Sequence, residues 1–179
     1  MSDPALSGTA PAPTATGGDE GLSPHDALYL RRAIALSRIA RERGNRPFGA
    51  VVAGADGRVL AEAWCDTAET GDCTGHAETN ALRRATPHHD RAQMAQATVY
   101  ASGEPCVMCA GAIFWSNARR VVFGIDAESL RVFRGERHDQ RDAELSCRDV
   151  FAAAPYPIEV IGPVLRDEAA APHVGAWKA

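Results

Sequence analysis

His76 and Glu78 stand two residues apart, and thirty residues after the histidine the chain reads Pro105, Cys106, Val107, Met108, Cys109. One imidazole and two thiolates suit zinc, and three such ligands leave the fourth tetrahedral position open. An open position marks a catalytic ion, because structural zinc sites close with four protein ligands. Zinc lowers the pKa of water in that position, and Glu78, beside the ligand histidine, is placed to shuttle protons between the water and a substrate nitrogen. A Cys-x-x-Cys pair alone could be a redox pair or a structural zinc clip. The full set of His76, Glu78, Cys106 and Cys109 points instead to a catalytic site with Zn2+ as cofactor.

Two helices must carry these residues. The spacing predicts one from Gly75 to about Ala85, with His76 and Glu78 near its N-terminus. A second runs from Pro105 to Trp115, behind a short buried strand from Thr98 to Ser102. Ligands at helix N-termini sit at the positive end of the macrodipole, which favours thiolate. Upstream, Ser23, Pro24 and Asp26 announce a helix whose apolar side chains Leu28, Ala35, Leu36 and Ile39 recur at helical spacing until Gly44. Asp56-Gly57 between apolar runs is a hairpin signal. Arg120–Gly124 reads as a strand, residues 147–153 as a helical piece and Ile158–Gly162 as the last strand. A crossover of that length permits parallel pairing.

Residues 1–22 are Ala, Pro, Thr and Gly with almost no large apolar side chains, so this segment is expected to be disordered. The expected domain spans 23–165, followed by a tail at 166–179. Of 179 residues 45% are hydrophobic and 23% charged, which suits one globular domain with a real core. The net charge of −4 disfavours nucleic acid as a partner. No apolar run approaches a membrane span, and no basic-then-apolar leader is visible. With two of five cysteines assigned to zinc, Cys65, Cys73 and Cys147 are odd in number and unpatterned, which argues against a disulfide framework and for a reducing, cytoplasmic setting.

Beyond the spacing, H-x-E followed by P-C-x-x-C is the signature of zinc-dependent nucleobase deaminases. The chain resembles the branch of the cytidine deaminase-like superfamily that contains guanine deaminases and tRNA adenosine deaminases. The resemblance is carried by Pro47–Val52 (PFGAVV), His76–Leu82 (HAETNAL), Glu104–Ile113 (EPCVMCAGAI) and Arg120–Gly124 (RVVFG), and covers roughly residues 28–125. It implies an α/β fold: a three-layer α/β/α sandwich around a five-stranded mixed sheet with its last two strands parallel. It also implies a homodimer or larger oligomer with active sites close to subunit interfaces.

The implied activity is hydrolytic release of ammonia from a free purine base or nucleoside, guanine-like in the first instance. Adenosine in tRNA, or cytosine, pterin and triazine rings, are the alternatives. Phe48 before Gly49 resembles the aromatic that stacks on a free base in guanine deaminases, although a strand aromatic can equally be core. The backbone N–H of Ala77 would hold a substrate carbonyl. Trp115 would line the pocket or pack the helix end, and Trp177 would cover the pocket as part of a C-terminal lid, its own or a neighbour's. Cys65 stands where these families place a ring-binding asparagine, and a thiol is a poor hydrogen-bond partner. A second acid after the fourth strand would be Asp139, Asp142 or Glu144, with Glu144 preferred. Asn45 and Arg46 fall where relatives keep residues near the substrate.

Overall fold

The computed structural model describes residues 21–135 and 145–177. Helix α1 (Pro24–Glu42) starts at a reciprocal cap: the Ser23 side chain accepts from the Asp26 N–H, and the Asp26 carboxylate accepts from the Ser23 N–H. Strands β1 (Gly49–Ala53) and β2 (Val59–Trp64) form the expected hairpin around Asp56-Gly57. After the one-turn α2 (Thr67–Thr70) come α3 (Ala77–Ala85), α4 (Arg91–Ala95), β3 (Thr98–Gly103), α5 (Val107–Ser116) and β4 (Arg120–Ile125). The chain closes with α6 (Ala127–Arg134), α7 (Cys147–Ala152), β5 (Glu159–Ile161) and α8 (Arg166–Ala170).

The five strands lie in the order β2-β1-β3-β4-β5. β1 runs antiparallel to both neighbours, while β3–β4 and β4–β5 are parallel. Alternation along each strand sorts the core into two layers. Ala50, Val52, Val99, Ala101, Val121 and Phe123 face α3, α5 and α7. Val51, Ala53, Tyr100, Val122 and Ile125 face α1, α6 and α8. The architecture is the three-layer sandwich with parallel final strands that the resemblance implies.

Close approach of α1 to the sheet sets the start of β1. A side chain at Gly49 would place its Cβ 2.2 Å from the Ala33 carbonyl oxygen, so only glycine fits there, and Phe48 is held next to the helix. Asp26, nearly inaccessible, ties α1 to the sheet through both Arg120 guanidinium nitrogens at 2.6 and 3.0 Å and the Tyr100 hydroxyl at 2.9 Å. Burial alone would raise this carboxyl, but hydrogen bonds from Arg120, Ser23 and Tyr100 outweigh it and hold it well below the usual carboxylate range.

Two expectations about the ends change. Leu22 packs against the α1-side core and so belongs to the fold. Residues 166–177 of the expected tail pack onto the sheet and α1. Ala169 is buried against β4, where a Cβ on Gly124 would meet it at 2.5 Å, Arg41 donates to the Pro172 carbonyl at 3.0 Å, and His173 is fully buried. The short α6 and α8 escape a reading based on long periodic segments, because helices of one or two turns carry little periodicity. No helix of the described residues is long and apolar enough to cross a membrane.

Candidate active site

Both motif helices start at a ligand. His76 is the N-cap of α3 and Cys106 the N-cap of α5, with Cys109 in the first turn of α5. Asp66 braces the approach to α3, accepting from the Asn80 amide at 2.9 Å while its own N–H donates to the Gly75 carbonyl at 3.0 Å. The strand–loop–helix run of β3 and α5 then brings both cysteines to the histidine. His76 Nδ1 lies 3.5 Å from Cys106 Sγ and 3.6 Å from Cys109 Sγ, and the three ligand atoms all lie within 4.8 Å of one another. Tetrahedral zinc with ordinary Zn–N and Zn–S bonds requires an N···S separation of roughly 3.6 Å. The residues therefore fit the ion, and the fit rests on the donor geometry. Hydrogen bonds from Cys109 and His76 lower the Cys106 thiol and favour its thiolate.

Glu78 is buried one turn from these ligands, with the Cys109 thiol directed at its Oε2 at 3.5 Å. Burial, reinforced by the negative charge on Cys106, pushes its carboxyl up to about 7. A cavity of about 100 Å³ opens above them where the chain leaves β3 and β4. Phe48, Cys65, His76, Glu78, Glu104 and Cys106 line it, together with Arg46, Leu130, Arg134 and Leu145. This is the crevice at the carboxyl ends of parallel strands where α/β sheets place ligands.

The expected substrate residues separate under this geometry. Phe48 and Cys65 line the cavity, and Cys65 is fully buried with its sulfur 3.5 Å from the Thr67 hydroxyl. Ala77 is the first residue of α3, so its N–H belongs to the helix end that lacks intrahelical acceptors. Trp115 does not line the cavity. It is 77% exposed and edge-on to Phe114, because the face of α5 that holds Cys109, Ala110 and Ile113 is turned to the core and Trp115 lies on the other face. Trp177 is not a cavity-lining residue either. It stacks on His173 at 5.8 Å and, among the described residues, meets the cavity through Phe48, Arg46 and Arg134, which line it. Glu144, Asp139 and Asp142 lie outside the described residues. Asn45 is spent on α2: its Oδ1 accepts from the Ala68 and Glu69 N–H groups at 2.9 and 3.2 Å.

Four residues that sequence reasoning passed over matter here. Glu104, two before the first ligand cysteine, accepts from the Ala127 N–H, the Ser146 hydroxyl and the Cys147 N–H at 3.0, 2.6 and 3.2 Å, joining the starts of α6 and α7 to the metal loop. The Thr79 hydroxyl is 3.4 Å from Cys109 Sγ. Arg134 lines the cavity, and His173 stacks behind Phe48 at 5.2 Å. A carboxylate beside the Cys motif was a visible signal for Glu104; nothing local marks Arg134 or His173.

A three-ligand site fit for zinc, with a buried carboxylate beside it on this sandwich, defines a metal-dependent hydrolase of the deaminase type. Residues 23–125 match the family described as the cytidine and deoxycytidylate deaminase zinc-binding region, and the chain belongs to that family. It is similar to a protein of Schizosaccharomyces pombe named "Probable cytosine deaminase", at 41% identity over 87% of this chain and 94% of the relative. A tRNA-specific adenosine deaminase of Haemophilus influenzae is 36% identical over 57% of this chain and 59% of its own. Among solved structures, the guanine deaminase of Bacillus subtilis superposes with a TM-score of 0.55 at 27% identity, covering 82% of this chain and 89% of that one. A tRNA deaminase acting at the wobble position superposes with a TM-score of 0.65 at 28% identity, covering 82% and 99%. The chain is thus a hydrolytic deaminase of the nucleobase or nucleoside type with a zinc-binding domain.

Proposed function

We propose that this deaminase acts on a free, small-ring nucleobase, with a cytosine-like pyrimidine as the first candidate, and that it does so in the cytoplasm as a homodimer. The observation that carries the reading is the size of the cavity. At about 100 Å³ it is well below the roughly 300–1,000 Å³ of sites for drug-sized ligands. It suits one planar ring inserted edge-first toward Glu78. The full-length similarity to a probable cytosine deaminase supports the same choice.

Zinc held by His76, Cys106 and Cys109 would supply a Lewis acid that makes water nucleophilic near neutral pH. Glu78 takes a proton from the attacking water and delivers it to a ring nitrogen, leaving the adjacent C–NH2 carbon electrophilic. As the C–N bond breaks, the same carboxylate takes the remaining proton from the hydroxyl newly joined to that carbon and passes it to the departing amine, leaving a carbonyl; one water is consumed and one ammonia released. Burial raises this carboxyl above the ordinary glutamate range, so it can both accept and return a proton near neutral pH. Phe48 fixes the plane of the ring, and the Ala77 N–H, at a helix N-terminus, holds a carbonyl oxygen. Cys65, buried beside the ring, selects by shape, since its thiol reads hydrogen bonds poorly.

A guanine-like purine is the second reading, supported by the aromatic before Gly49 and by the superposition on a guanine deaminase. Homodimer formation is supported by α5, whose ten residues carry no charge and which leaves Trp115 exposed. The test is ammonia release from cytosine, guanine, guanosine, adenosine, a pterin, an aminotriazine and an adenosine-containing tRNA stem-loop. Turnover of cytosine or another free base, with none of the stem-loop, is the expected result. Efficient editing of the stem-loop with no turnover of any free base or nucleoside would overturn the small-molecule reading.

A further inference from the structure

We infer that Glu104 is a positioning residue for the deamination: its carboxylate sets the gap between the two helix layers where they meet across the cavity. This rests on the deaminase activity of the family and not on which ring is deaminated. Glu104 stands just past the end of β3, two residues before the ligand Cys106, and its own N–H donates to the Ile125 carbonyl at 2.7 Å. That backbone bond fixes the root of the side chain to the end of β4. From there Oε2 accepts from the Ala127 N–H at 3.0 Å, and Oε1 accepts from the Ser146 hydroxyl and the Cys147 N–H at 2.6 and 3.2 Å. Ala127 opens α6, which packs through Leu130 and Phe133 on one face of the sheet. Cys147 opens α7, which packs through Cys147 and Phe151 on the other. The two oxygens of one carboxylate are a fixed distance apart, so two helix starts on opposite faces are held in one geometry.

Neither helix needs this carboxylate in order to form. α6 has its own cap, the Asp126 side chain accepting from the Ser129 N–H at 2.6 Å, and Arg166 of α8 donates to Asp126 and Ser129 at 3.2 and 3.0 Å. α7 has a reciprocal cap of Ser146 and Asp149. What Glu104 adds is the placing of one start against the other. Those starts carry cavity wall: Ala127 and Leu130 line it from α6, and Leu145 lines it one residue before the α7 cap. The metal ligands and Glu78 are not among the partners of the Glu104 carboxylate. A wall that only confines the ring meets substrate and transition state alike, so misplacing it acts on KM and spares kcat.

The experiment compares wild type with Glu104→Gln, Glu104→Ala and Ala127→Pro, all as zinc-loaded full chains. Glutamine keeps one accepting oxygen but turns an amide donor toward the N–H on the other side, so it serves one layer only. Ala127→Pro removes the N–H that Oε2 accepts and leaves Glu104 in place. Proline is tolerated at a first helical position, and Asp126 before it is already extended. Kinetics are run on whichever of the test compounds named above wild type turns over fastest, the stem-loop included, so the identity of the ring is decided separately. Zinc content and hydrogen exchange of the α6 and α7 amides are read on the same samples.

Glu104→Ala should raise KM by about 10–100-fold, the cost of shifting a binding wall by up to about 1 Å, with kcat within about threefold and zinc close to one equivalent. Its first amides in both helices should exchange faster than in wild type. Glu104→Gln and Ala127→Pro should show smaller changes of the same kind, and they carry the test where Glu104→Ala folds poorly. Adding Ala127→Pro to a Glu104 variant that has lost the Ala127 bond should change KM no further. Additive losses would show that the proline acts by bulk in the cavity, and an Ala127→Pro enzyme with wild-type KM would show that Glu104 meets the substrate directly; either overturns the inference. So does a kcat loss at constant KM, a parallel loss of zinc, or lowered stability in chemical denaturation with unchanged kinetics.

Discussion

Glu78 stands close enough to the metal ligands that its role can be separated from theirs only by chemistry. Glu78→Gln keeps the size of the side chain but cannot carry protons. It should retain zinc at close to one equivalent per chain while losing about two to four decades of kcat, as general acid–base catalysis implies. Cys106→Ala, analysed for metal beside it, should lose both. A Glu78→Gln enzyme within tenfold of wild type would take the carboxylate out of the mechanism, and full zinc retention in Cys106→Ala would reassign the ligand. These residues were legible in the sequence because a histidine at one helix start and a Cys-x-x-Cys at another are local patterns. Arg134 and His173 were not. Each meets the site through residues far away in the chain, Arg46 and Trp177 for one and Phe48 for the other. Trp115 misled for the opposite reason: its place in a motif helix was legible, but the face it occupies depends on how α5 meets the sheet.

At the scale of elements, α5 presents two unlike faces. Its buried face carries Cys109 to the metal site, while its outer face leaves Trp115 in solvent, where a Cβ on Gly111 would meet nothing. An uncharged helix with a large exposed aromatic suits burial against another chain. For the proposed homodimer, Trp115→Arg should therefore shift the equilibrium toward monomer in sedimentation velocity without loss of bound zinc. An unchanged dimer would place the interface elsewhere. The order and type of the main elements followed from capping, turn and periodicity signals: Ser23 with Asp26, Asp56-Gly57, and the apolar runs of β3 and β4. The short helices α2, α4, α6 and α8 did not: one or two turns carry little periodicity, even where a cap such as Asp90 or Asp126 opens them, and α8 is held by tertiary contacts such as Ala169 against Gly124.

For the molecule as a whole, His173 links acid stability to the integrity of the pocket wall. It is fully buried among Phe48, Phe133 and Trp177, and neither ring nitrogen has a hydrogen-bond partner among the described residues. Burial, aided by the charges of Arg134 and Arg41, pushes it down to about 4 from the ordinary 6.5. Between those values the unfolded chain binds a proton that the folded chain refuses, so stability must fall as pH drops. The slope for this one group is about 1.4 kcal/mol per pH unit, or about 3 kcal/mol across the window. Chemical denaturation of wild type and His173→Phe at pH 7 and pH 4.5 isolates it, since other titrating groups cancel in the difference. The variant should be near neutral or stabilising at pH 7, where it only removes unpaired polar atoms, and relatively more stable than wild type by about 2–3 kcal/mol at pH 4.5. An unchanged difference between the two pH values would show that His173 titrates normally.

Gly103 ends β3 without touching the metal ligands, yet a Cβ there would come within 2.9 Å of the Phe48 ring. The ring is the movable partner in that contact, so an alanine at this position would tilt the aromatic wall by a fraction of an ångström and leave the ligand set intact. A lineage carrying this fold can therefore change which ring it accepts in one mutational step, without passing through a form that has lost its metal or its proton shuttle.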